Sequence, residues 1–204
     1  NKTAVNTNSK RETTEKPQFI KTPASCFGLW IQEDYLKALQ KTHSTKKAQE
    51  MAVDDFYRIS NDNSVMRQTL HEGGADNILL MTTETKGQLF SSDTLEAYSQ
   101  VEFKDNTMII KNKTYIKAPS IENGLTEMVN RTLFSGEYIV GNQTITFLEN
   151  GQINGLDSIV CYEANLDYID AGMQYDKMDI QFKKEKEPRT YIYQIVSDTL
   201  VLFN

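Results

Sequence analysis

Tyrosine is the residue type this chain offers most freely for recognition. Ten Tyr stand beside nine Phe and a single Trp in 204 residues. Tyr98, Tyr115, Tyr138, Tyr162, Tyr175 and Tyr193 fall on or beside segments with strand periodicity. A phenol joins an apolar ring to a hydroxyl tip, which suits the wall of a pocket for an amphipathic molecule. Core packing or outward cross-strand pairing is the simpler reading. Groups able to do covalent or proton-transfer chemistry are sparser. His43 and His71 stand in different predicted elements, and the chain has no nucleophile elbow, zinc-binding helix, phosphate loop or dinucleotide fingerprint. Asp167, Asp170, Asp176 and Asp179 form an acidic set near Gly172, but their spacing does not match a calcium loop. Nothing selects two of them as a glycosidase pair, and a solvated loop is the simpler reading. The expectation is a non-enzymatic chain with no catalytic residue, metal or cofactor.

The two cysteines, Cys26 and Cys161, are too few for a structural zinc site. One disulfide between them would close a loop of about 135 residues and restrain the unfolded chain by up to ~5 kcal/mol. Two buried free thiols, acting as small apolar groups, are the other reading.

Charge narrows the partners. A net charge of −6 argues against nucleic acid, which selects clustered Lys and Arg. The basic run Lys183-Lys184-Glu185-Lys186-Glu187 is broken by acids and reads as a solvated hairpin tip. No stretch of 18 apolar residues is present. Residues 1–16 have no aromatic residue and only Val5 as a strong hydrophobe, a composition that cannot bury enough surface to fold alone. Residues 1–23 therefore read as a polar leader or tether. This suits an exported protein of the periplasm or outer membrane, touching a membrane only through a possible N-terminal lipid anchor.

The elements that must position these side chains are mostly short strands. Glu33 to Lys41 has helical spacing, and Ser44 can cap a second short helix running to Met51. From Asp54 the period changes to two. Strands are predicted at 56–60, 65–71, 77–83, 88–90, 95–103, 108–111 and 115–118, separated by turn residues. In the fifth of these, Leu95, Ala97, Ser99, Val101 and Phe103 should face one way and Glu96, Tyr98, Gln100 and Glu102 the other. A helix is expected from Pro119 to Leu133, although Gly124 costs its first turn about 1 kcal/mol. Strands resume at 138–140, 144–148, 152–155, 159–166, 177–182, 191–196 and 199–203. Met178, Ile180 and Phe182 should point inward.

Tight antiparallel connections favour a meander, and closing such a sheet removes its exposed edges. The expected fold is mainly β, an antiparallel up-and-down β-barrel with two or three short helices, formed as a single domain over residues 24–204. A two-sheet sandwich is the alternative. The strand carrying Trp30 should pair with the final strand, Thr199 to Phe203, so that the sheet closes on itself.

Gly28-Leu29-Trp30 resembles the G-x-W signature that opens the first strand of lipocalins, and Leu166-Asp167-Tyr168 is similar to their T-D-Y signature. The cadence of Phe147, Asn150-Gly151, Ile153 and Gly155 is similar to lipocalin-like lipoproteins of Bacteroidetes. The family's third signature, an Arg near the last strand stacked on the Trp, has only Arg189 as a poor match. The resemblance implies a lipocalin-like barrel holding a small apolar or amphipathic ligand. The residues expected to line it are Trp30, Tyr98, Tyr115, Tyr162, Met178 and Tyr193. A filled barrel working as a structural or protein-interaction lipoprotein is the competing reading.

Overall fold

The structure is a computed structural model and describes residues 18–51, 56–69, 74–120, 123–166 and 174–203. Its first part is a closed, antiparallel, up-and-down lipocalin-like barrel of eight strands. These are β1 (Gly28–Gln32), β2 (Phe56–Ile59), β3 (Ser64–Gln68), β4 (Ala75–Met81), β5 (Lys86–Ser91), β6 (Ala97–Lys104), β7 (Thr107–Ile110) and β8 (Lys113–Lys117). Two helices, α1 (Glu33–Thr42) and α2 (Thr45–Met51), separate β1 from β2. The mainly β, antiparallel reading of the sequence is therefore correct, and nearly every predicted strand exists.

The point of closure differs from the expectation. β1 pairs with β2, Trp30 opposite Tyr57, and on its other edge with β8, Trp30 opposite Lys117. Both edges of the Trp30 strand are thus occupied, and eight strands already complete a small barrel by residue 117. The last strand, β15 (Thr199–Phe203), pairs with β14 (Arg189–Val196) in a different sheet. The expectation of one sheet from the first strand to the last is corrected accordingly.

Beyond the barrel, α3 (Gly124–Leu133) leads into β9 (Gly136–Val140), β10 (Gln143–Phe147) and β11 (Ile153–Asn154), a three-stranded sheet. A four-stranded sheet follows, made of β12 (Ile159–Ala164), β13 (Lys177–Phe182), β14 and β15. A bridge from Gln152 to Cys161 joins the two sheets.

β1 explains how the parts hold together. All five of its residues are buried, because both faces are covered. Trp30 points into the barrel core, while Leu29 and Ile31 belong to a larger core with Tyr35 and Leu39 of α1, Val129 and Leu133 of α3, and the inner faces of β10 to β14. The helices form the layer over β1. α1 starts with Glu33 and Asp34 and ends with Lys41, charges that complement its dipole, and stops at His43 in the left-handed conformation. Ser44 Oγ accepts a hydrogen bond from Lys47 N at 3.0 Å, which caps α2 as the sequence suggested. α3 begins at Gly124, later than predicted. A Cβ there would lie 2.6 Å from Ala118 Cβ, so the glycine that weakens the helix in isolation is what lets it pack this closely.

Candidate functional site

The six residues expected to line one pocket divide into two groups. Trp30, Tyr98 and Tyr115 belong to the barrel. Tyr162, Met178 and Tyr193 belong to the core of the later sheets. The structure does not bring these groups into one site.

The barrel has a closed end built around Trp30. The indole is wholly buried, donates from Nε1 to the Cys26 carbonyl at 3.0 Å, and meets Phe103 edge-on at 5.4 Å between ring centroids. Lys117, on the strand beside it, places its Nζ 5.4 Å from the indole centroid and donates to the Ser25 carbonyl at 2.7 Å. Arg189 is not the cation of this strand arrangement. Lys117, on the last strand of the barrel itself, occupies that role, and its position two residues after the inward Tyr115 is the alternation signal that could have found it. Gly28 has φ +138°, and a Cβ there would lie 3.0 Å from Lys117 Cε. The glycine of Gly28-Leu29-Trp30 thus lets the lysine stem cross the strand start.

The barrel interior is occupied by side chains. Ile59, Val65, Leu79, Met81, Leu89, Val101, Met108 and Ile110 join Trp30 and Phe103 in one buried cluster. An eight-stranded barrel is just wide enough for such a filling.

A polar, aromatic group lies next to this filling in the barrel. Tyr57 and Tyr115 meet edge-on at 5.1 Å, and the Tyr57 and Tyr98 hydroxyls are 3.0 Å apart. Tyr98 does not follow the alternation expected of its strand. One step along β5, Leu89 to Phe90, spans two along β6, Ser99 to Ala97, so Tyr98 is the extra residue of a bulge and packs against the barrel core. Lys111 Nζ lies over the Tyr98 ring at 4.2 Å. Burial, with the Tyr98 hydroxyl, pushes the Tyr57 phenol far above its ordinary value. It is a neutral hydrogen-bonding group, not a proton donor near neutral pH.

In the second group, Phe134 is the shared partner. It meets Tyr162 at 5.8 Å and Tyr193 at 5.0 Å, both edge-on. Tyr162 donates to the Leu148 carbonyl at 2.9 Å, and burial raises its phenol. Met178 is wholly buried on β13, inward as predicted. The Tyr193 hydroxyl is 3.0 Å from Thr45 Oγ1. Asp176 holds α2 to this sheet: its carboxylate accepts from Ser44 Oγ at 2.6 Å, Thr45 Oγ1 at 3.1 Å and Lys46 N at 2.9 Å. This carboxylate is a structural clamp.

The remaining sequence candidates separate from any common site. Asp179 accepts from Thr190. Asp167, Asp170, Gly172, His71 and the Asp167-Tyr168 part of the T-D-Y match lie outside the described residues, and Leu166 follows β12, outside the barrel. Cys26 and Cys161 are free thiols, and burial pushes the Cys26 thiol up.

The described residues form surface grooves. An apolar groove of about 360 Å³ runs across the outer face of β4 and β5, between Phe19, Ile78, Leu80, Phe90 and Leu95. Leu95 is 66% exposed at φ +54°, a backbone region that leucine rarely adopts. A second groove, of about 430 Å³, lies beside α1 near Gln32 and Lys113. Sequence reasoning missed both, because alternation marks inward residues and not the shape of an outer face.

Comparison with known protein families, curated proteins and solved structures finds no match for this chain, so its likeness to lipocalins rests on the eight-stranded barrel and its Trp30 end.

Proposed function

We propose that this protein is a non-enzymatic interaction module, working through its outer surface on a filled lipocalin-like barrel. The reading that a small apolar ligand occupies the barrel is the less favoured of the two. The observation that carries the proposal is the barrel interior, where Trp30, Phe103, Met81, Met108 and their neighbours fill the space a ligand would need. The exposed apolar groove around Phe90 and Leu95 supports a surface role, since such patches mark interaction sites. Export is part of the proposal and rests on the polar composition of residues 1–16. A precursor bearing a signal segment with a Cys at its cleavage point is expected, and a precursor without one overturns that part.

Fluorescence of the lone Trp tests the interior. Titration with long-chain alcohols, fatty acids and sterols should leave the Trp30 emission and its protection from acrylamide unchanged. A saturable one-to-one shift in that emission would restore the container reading.

A further inference from the structure

We propose that the groove beside α1, at its junction with β1 and β8, binds a small amphipathic anion: a single acidic head group on a short apolar chain. Lys113 opens β8 and is half-buried at the groove, where its amine donates to the neutral Gln32 Oε1 at 3.4 Å. Among the described residues it has no carboxylate partner. A partly desolvated ammonium held by a neutral amide is under-compensated, and an incoming anion supplies what is missing. Gln32 is itself buried, so the amide is fixed in place at the start of α1.

Lys41, in the last turn of α1, faces the same groove and likewise has no ion pair among the described residues. Lys37 is committed to Glu33 at 2.9 Å, and Asp34 is the one acidic residue among the described residues of the lining. Among the described residues two uncommitted cations thus meet one acid, on a chain whose net charge is −6. The head group belongs between Lys113 and Lys41. Ala38 and the exposed Met51 supply the apolar wall for the chain. The volume of about 430 Å³ falls in the range of small-molecule sites.

Calorimetric titration of the whole chain with octanoate tests this, with octanol and octylamine as controls. Octanoate should bind and the controls should not, and its affinity should fall as salt rises from 50 to 500 mM. Lys113→Met, which keeps the aliphatic stem, should weaken octanoate at least tenfold, and Lys41→Met severalfold, with Trp30 emission unchanged as proof of folding. Leu95→Glu, in the other groove, should leave octanoate affinity as it was. The proposal is overturned by no measurable octanoate binding, by octanol binding as tightly as octanoate, by an unaltered affinity in Lys113→Met, or by loss of binding in Leu95→Glu.

Discussion

Replacing Trp30 by Ala is expected to destabilise the protein by roughly 3–5 kcal/mol. The indole is wholly buried, with Phe103 packed edge-on to it and its N–H bonded to the Cys26 carbonyl. Truncation removes the largest side chain of the barrel core and leaves a cavity that eight hydrogen-bonded strands cannot collapse around. It also strands the Cys26 carbonyl and removes the ring beneath Lys117. In a chain of this size the loss corresponds to a fall on the order of 10 °C in melting temperature. Denaturant unfolding followed by circular dichroism measures it. A cost below about 1.5 kcal/mol would mean that the ring faces open space instead of packed neighbours, and the filled-barrel account would fail with it.

Phe134→Ala should carry a loss of similar size, again roughly 3–5 kcal/mol, but from the other core. Phe134 follows α3 and is wholly buried between Tyr162 and Tyr193, so it joins the helix to β12 and β14. Its carbonyl also accepts from the Tyr138 hydroxyl at 2.9 Å. Near-ultraviolet circular dichroism should report the loss of ordered tyrosine, while Trp30 emission stays close to that of the intact protein. The two rings sit in separate clusters. A Phe134→Ala protein with unaltered stability would show that the later sheets do not pack on α3.

The two substitutions mark what could be read from the residues and what could not. Element type was legible almost throughout, because period-two alternation and turn residues such as Asn150-Gly151 are local signals. The G-x-W match was also sound in physical terms, since Gly28, Trp30 and Lys117 interlock at one end of the barrel. Pairing order was not legible. Nothing local to Lys113–Lys117 says that it, and not Thr199–Phe203, lies beside β1. Alternation placed Met178 correctly and Tyr98 incorrectly, because one inserted residue in β6 reverses the face. The candidate pocket failed as a unit for the same reason. Tyr115 and Tyr162 have like surroundings in sequence, yet one lies in the barrel and the other packs on α3.

The closure of the sheet is tested most directly by nuclear Overhauser contacts across the Trp30 strand. Contacts between the backbone protons of Ile31 and Ile116, together with contacts from the Trp30 indole to Phe103, are the predicted result. Cross-strand contacts from Leu29–Ile31 to residues 199–203 would contradict it.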